Sequence, residues 1–339
     1  MNNRQFSLDF PHAYGIPAAS ALFRQQLEDF QVTEQLGFVP SGEGEHLYLW
    51  VEKRGQNTRW VAGQLADAFS VDEVAVGYCG LKDRQAITRQ WFSVHLPGAG
   101  LPPISELPVI PGVSVLSVSR HPKKLRRGMH SGNGFVICLR QIDAGSQQMI
   151  EERLAAIAQG GVPNYFGEQR FGRDGGNLPA AEQLFIERET RNRDRRSGRS
   201  RRPAEQGGIY LSAARSYLFN LVLAERVRQG SWYIALDGET EPSGPLWGRG
   251  RSRAQGEVLT LEEQVLANWQ DWCHGLEFSG LSQERRSLVM KPDNFSWCWG
   301  DGGDEHPDLS LSFSLPPGCF ATALLREVAK LQTARAVAD

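Results

Sequence analysis

The chain has no run of about 18 apolar residues, the length a helix needs to cross a bilayer. Its opening residues, MNNRQFSLDF, carry no apolar stretch behind a basic start, which argues against a secretory signal and for a cytoplasmic protein without a membrane. Cysteines are few and odd in number: Cys79, Cys138, Cys273, Cys298 and Cys319. They form no CxxC pair and no Cys/His ligand spacing, so reduced thiols and no structural zinc are expected. The seven histidines form no ligand spacing either. A GxxxxGKS/T phosphate loop, an HExxH zinc helix and a GxSxG nucleophile elbow are all missing. These absences disfavour metal and nucleotide enzymes. There is also no excess of positive charge: 37 basic residues face 39 acidic ones, a net charge of −2. That balance leaves room for a local basic face, which is what affinity for phosphate depends on.

What is present has the texture of a soluble globular protein, with 40% hydrophobic and 22% charged residues. At 339 residues the chain is long enough for two domains and for a core that needs no staples. Alternation at Phe30, Val32 and Glu34 predicts a half-buried strand, and HLYLWVEKRG a second one with Leu47, Leu49 and Val51 on one face. Thr58 is an N-cap candidate for a helix with Val61, Leu65, Ala68 and Phe69 on one stripe. Two further strands flank residues 80–90, and the Pro- and Gly-rich LPGAGLPPISELPVIPG reads as a surface connection. GFVICLRQI predicts a strand, and SQQMIEERLAAIAQGG a helix with Ser146 as cap, Ile150, Leu154, Ile157 and Ala158 on one stripe and Gly160-Gly161 as the stop. From about residue 162 to 290 the texture is mainly helical, most clearly in LSAARSYLFNLVLAERVRQG, with Leu211, Ala214, Leu218 and Leu221 in register and Gly230 as the stop. Strands return after Ser287, followed by a final helix with Leu324, Leu325, Val328 and Leu331 on one stripe. Strand-rich ends around a helix-rich middle predict one α/β domain interrupted by an inserted one.

Two stretches are locally basic. Arg120, Lys123, Lys124, Arg126 and Arg127 have no acid between them and lead into SGNGF and a strand, so a rigid element would hold them. Such a ridge beside an aromatic suits RNA, although a solvated loop has the same composition. The second stretch, Arg188 to Arg202, is diluted by Glu189 and Asp194 and ends in a Ser/Gly/Arg alternation typical of disorder.

The segment GLKDRQAITRQ lies between two predicted strands. An acidic residue there most often serves a turn. Asp83 has unusual company, with Lys82 and Arg84 on either side. A carboxylate that must stay charged while partly buried needs a nearby cation. Side chains of adjacent residues often diverge, so that cation can equally come from elsewhere in the chain. A hydrolase with paired carboxylates would need a second acid, for which Glu28, Asp29 and Glu34 are the motif-linked choices.

GLKDRQAITRQWFSV and NYFGEQRFG, at Asn164 to Gly172, resemble the signatures of the TruD family of tRNA pseudouridine synthases. LEDFQVTEQLGFVPSGEGEHLYLWVEKRGQNTRWVA, GNGFVICLR, LSAARSYLFN and LPPGCFATALLRE match as well, in family order, from about Leu27 to Glu327. The resemblance implies an α/β (α+β) pseudouridine synthase fold: a mixed, largely antiparallel sheet flanked by helices. It implies catalytic parts at 1–160 and 291–339 and an inserted TRUD domain at 161–290. It implies conversion of a uridine in tRNA, at position 13, to pseudouridine, by a monomer without metal or nucleotide cofactor. The target base must be flipped out of folded RNA and held by stacking.

By the same resemblance, Asp83 is the catalytic aspartate. Attack on the sugar, attack on the ring and removal of a ribose proton are all open to it. Phe30, Asn133, Phe135 and Phe320 match the pocket residues for the base, against core packing for each Phe and a turn role for Asn133. Arg24 stands where the family usually has a lysine that pairs with the aspartate; charge is kept, but a planar fork replaces a point charge. The ridge from Arg120 to Arg127 would hold RNA phosphates. A non-catalytic RNA-binding protein on the same fold is the alternative.

Overall fold

The computed structural model describes residues 4–194, 207–300, 303 and 305–333, with side chains except at 189–194 and 333. The chain divides into two compact units. One comprises Ala18–Glu152, Pro292–Gly318 and the segment from Ala329; the other comprises the residues up to Pro17, Arg153–Lys291 and Cys319–Val328.

Among the described residues, the first unit is built on a ten-stranded sheet. Its strands include β1 (Ser20–Phe23), β2 (Phe30–Gln35), β3 (His46–Arg54), β4 (Val76–Tyr78), β5 (Ile87–His95), β6 (Val113–His121) and β7 (Gly132–Arg140). The order runs from Asp293–Gly300 through Asp308–Leu315, β7, β2, β5 and β3 to β6. β4 lies beside β5, and β1 lies between β7 and Lys330–Thr333. β2 is parallel to β5 and β1 to Lys330–Thr333; among the described residues the other pairings of this sheet are antiparallel. This is the mixed, largely antiparallel sheet that the resemblance implies.

Register decides what shares a face. Phe30 pairs with Ile137, Val32 with Phe135 and Glu34 with Asn133 across β2 and β7. Val32 pairs with Thr88, Thr88 with Lys53, and Gln90 with Val51. Side chains alternate between faces along a strand. One face therefore collects Phe30, Phe135, Asn133, Glu34, Thr88, Gln90 and Lys53. Toward β3 the same face is apolar: Leu47, Leu49 and Val51 pack under Val61 and Leu65 of α1 (Thr58–Ala68). The cap of α1 is Asn57, whose Oδ1 accepts the Arg59 N–H at 2.8 Å, and not Thr58. The Thr58 hydroxyl is committed elsewhere, as shown below.

In the second unit, α4 (Gly207–Arg228) is enclosed on most sides, following α2 (Gln147–Gly160) and α3 (Asn177–Asp194) in the chain. Leu211, Ala214 and Leu218 are buried as expected, as are Phe219 and Val222, whereas Leu221 is half-buried. Gly230, at φ 67, terminates this segment. The last helix, Ala321–Val328, is shorter than expected. Leu331 sits in Lys330–Thr333, where parallel pairing with β1 takes over from helical periodicity. No helix among the described residues is long and apolar enough to cross a membrane.

Candidate active site

Asp83 lies in the connection between β4 and β5, with 29% of its side chain exposed. Its cation comes from far along the chain. The Arg24 Nη2 donates to Asp83 Oδ2 at 2.6 Å. Arg24 directly follows β1 at φ 61, a left-handed conformation that costs an L-residue about 1–2 kcal/mol. The guanidinium lies over the rings of Phe30, at 4.2 Å, and Phe23, at 4.8 Å. Strain in the backbone is thus offset by an ion pair and two ring contacts at one residue.

The two sequence neighbours of Asp83 turn away from it. Lys82 donates to Asn133 Oδ1 at 2.8 Å and forms an ion pair with the buried Glu34 at 2.7 Å. The other Glu34 oxygen accepts the Trp91 N–H. Arg84 is exposed and donates to the Gly55 carbonyl. The acids considered as hydrolase partners are each engaged with a cation: Glu28 with Arg54, Asp29 with Arg140, and Glu34 with Lys82.

A clasp absent from the sequence expectations holds the loop. Lys53 has no exposed surface, and its ammonium donates to the carbonyls of Gln56 and Asp83, both at 2.7 Å. Burial pulls its pKa down to about 8, against the opposing pull of the Asp83 charge. The Thr58 hydroxyl accepts the Lys82 N–H at 3.0 Å and donates to Gln90 Oε1 at 3.0 Å, while Gln90 Nε2 donates to the Gly80 carbonyl. The signal for Lys53 is present in the sequence: it continues the inward series Leu47, Leu49, Val51.

Beside this loop the aromatic floor consists of Phe30, Phe135 and Phe313. Phe30 and Phe135 have centroids 6.2 Å apart, and Phe135 stacks on Phe313 at 5.3 Å. Phe30 is 5% exposed and also meets Phe23 edge-on, so it serves the core as well; Phe135 is half-buried. Asp83, Arg24, Phe30, Asn133 and Phe135 all belong to the sheet unit, whereas Phe320 belongs to the helical unit, where it meets Phe166 at 5.9 Å.

The basic ridge is narrower than expected. Arg120 is 6% exposed, and its guanidinium is taken up by the carbonyls of Leu96, Ala99 and Gly100, so it holds a loop and is not available to phosphate. Lys124 is half-buried and donates to the Val74 carbonyl; burial and the nearby Arg126 lower its pKa. Lys123, Arg126 and Arg127 are exposed. Arg126 and Arg127 line a cleft of about 370 Å³ with Lys124, Gly77 and Tyr78. The side chains of the arginine-rich stretch from Arg191 to Arg202 lie outside the described residues.

A solved structure titled putative tRNA pseudouridine synthase D (TruD), from Methanosarcina mazei, superposes with a TM-score of 0.70, covering 96% of this chain and 95% of that one. At 19% identity the likeness is one of fold, and it extends over both the sheet unit and the helical unit. The family description tRNA pseudouridine synthase D (TruD) matches residues 12–192 and 232–328. The tRNA pseudouridine synthase D of Cellvibrio japonicus (strain Ueda107) is 52% identical over 332 residues, covering 96% of this chain and 94% of that protein. The protein of the same name from Aeromonas hydrophila subsp. hydrophila is 42% identical over 351 residues, covering 95% and 94%. The chain belongs to the tRNA pseudouridine synthase D family.

Proposed function

We propose that this protein is an isomerase that converts a uridine of tRNA, at position 13, to pseudouridine, with Asp83 as the group that acts on the substrate. The observation that carries this reading is the state of the Asp83 carboxylate. Oδ2 is held by Arg24 at 2.6 Å, and among the described residues none donates to Oδ1. A carboxylate anchored through one oxygen is positioned to attack carbon or accept a proton through the other.

The reaction is an internal exchange. The bond from uracil N1 to ribose C1′ breaks and a bond from C5 to C1′ forms. The proton on C5 leaves to solvent and N1 gains one, so atoms balance without a redox partner or cofactor. Phe135, with Phe30 behind it, offers a ring face for the extruded base. Lys82 fixes Asn133 through Oδ1, leaving its amide N–H groups for a carbonyl of the base. Lys123, Arg126 and Arg127 supply phosphate contacts. Residues 161–290 are read as the inserted TRUD domain, Phe320 as a contributor to base binding, and the protein as a monomer that works on tRNA in the cytoplasm.

The test uses tRNA labelled with tritium at uridine C5. Turnover releases tritium to water, and chemical mapping locates the product. Release of one equivalent per tRNA with the product at position 13 supports the reading. Tight tRNA binding without release would instead establish a non-catalytic RNA-binding protein.

A further inference from the structure

The buried and half-buried guanidiniums of the helical unit are, in most cases, matched to acids, even where one nitrogen, as in Arg215 Nε and Arg285 Nη1, lacks a hydrogen-bond partner. Arg226 reaches Glu239 at 2.8 Å, Arg285 reaches Glu262 at 2.7 Å and Arg215 reaches Glu284 at 3.3 Å. Arg170 and Arg286 are not: among the described residues no carboxylate lies within ion-pair distance of either. Arg170, in the 3-10 turn Glu168–Phe171, donates through Nη1 to the Ser212 hydroxyl at 3.1 Å, and its Nε is buried without a partner. Arg286, in the strand Glu284–Ser287, donates through Nη2 to Asn164 Oδ1 at 2.5 Å, and its Nε is likewise unpartnered.

The two cations share one aromatic frame. Arg286 lies 4.2 Å from the Phe166 ring centre, and Arg170 lies 5.5 Å from that ring and 5.7 Å from Phe320. Phe166 is itself fixed, because the side-chain amide of the buried Asn220 makes both backbone hydrogen bonds to it. Burial lowers both arginine pKa values; for Arg286 the neighbouring Cys319 works against burial and the charge of Arg170 works with it. The Cys319 thiol beside Arg286 has its pKa pushed up by burial, so it does not serve as a counter-anion at neutral pH. Two partly buried like charges beside each other, with donors left over and no acid, are costly in the free protein. An anion that bridged them would remove that cost, and both side chains retain a half-buried surface through which it can enter.

We infer that Arg170 and Arg286 form a two-guanidinium site for a phosphodiester of the RNA substrate, framed by Phe166 and Phe320. A planar fork suits two phosphate oxygens, and Ser212 and Asn164 hold the forks without neutralising them. This inference rests on the tRNA reading above for the source of the phosphate, and on the arginines alone for the anion.

The test compares Arg170→Gln, Arg286→Gln and the double variant with wild type, and with Arg285→Gln as an acid-paired control. Thermal unfolding is followed in chloride and in inorganic phosphate at equal ionic strength, and tRNA affinity is followed against salt. In chloride, Arg286→Gln is expected to be at least as stable as wild type, whereas Arg285→Gln loses stability. Phosphate should raise the wild-type midpoint and leave the double variant unmoved. Each lost contact should lower the log–log salt slope for tRNA by about 0.7–0.9, and Arg170→Lys should restore its share. Phosphate stabilisation with an unchanged tRNA slope would mean an adventitious ion only and would overturn the site. So would a loss of stability in chloride equal to that of Arg285→Gln. A wild type that shows the salt slopes but releases no tritium refutes the isomerase reading and leaves this site standing.

Discussion

Arg24 concentrates three effects in one side chain, and a short substitution series separates them. Removing one partner of a buried hydrogen-bonded charge pair costs about 2–5 kcal/mol. Here 16% and 29% of the two side chains remain exposed, so water screens part of the loss and the low end applies. About 2 kcal/mol taken from the transition state corresponds to roughly 30-fold in kcat/KM for Arg24→Ala. Arg24→Lys keeps the charge and loses the planar contact over Phe30 and Phe23, worth about 0.5–1 kcal/mol, so a two- to fivefold loss is expected. Arg24→Gly removes the same interactions as alanine and relieves the left-handed backbone at φ 61. It should therefore match alanine in activity and exceed it in stability by about 1 kcal/mol, or roughly 2–4 °C in Tm. Tritium release under kcat/KM conditions and thermal unfolding read the two properties separately. Activity of Arg24→Ala within twofold of wild type, or a glycine variant no more stable than alanine, would refute the reasoning.

The remaining expectations concern Lys53 and the basic ridge. Lys53 has a folded pKa of about 8 against an unfolded value near 10.4, so between those values the unfolded chain binds more protons, and this group's contribution makes stability rise with pH across that window. Activity should fall over the same rise, because the neutral amine is a weaker donor to the Asp83 carbonyl; Lys53→Met should lose at least tenfold in rate and lack the alkaline limb near pH 8, as a pH–rate profile would show. Charge reversal at Lys123, Arg126 and Arg127 should weaken tRNA binding and lower its salt slope by about 0.7–0.9 per lost contact. Arg120→Ala should leave that slope unchanged and lower stability by about 1–3 kcal/mol through its orphaned carbonyls, measured by denaturant unfolding.

Much of the sheet was legible because alternation leaves a local mark. Phe30, Val32 and Glu34, and Leu47, Leu49 and Val51, lie on the faces their spacing predicts. The Arg24–Asp83 contact was legible only through resemblance, since 59 residues separate the pair and no periodicity connects them. What escaped depends on distant backbone. Arg120 stands in a basic run, yet carbonyls from residues 96–100 enclose it. Thr58 has the chemistry of a cap, but a loop some 24 residues away claims its hydroxyl and Asn57 caps instead. Leu331 continues a helical stripe, but β1 offers it a parallel partner. Residues up to Pro17 and Cys319–Val328 join the helical unit through long-range packing that composition does not record.

The most direct measurement of the central claim is a single-turnover experiment on Asp83→Asn, with tRNA binding and tritium release recorded on the same sample. The amide keeps the volume of the carboxylate and can still accept the Arg24 N–H, so fold and binding should persist. Wild-type affinity for tRNA and no release above background are expected. Release near the wild-type rate would contradict it and return Asp83 to the role of a turn residue.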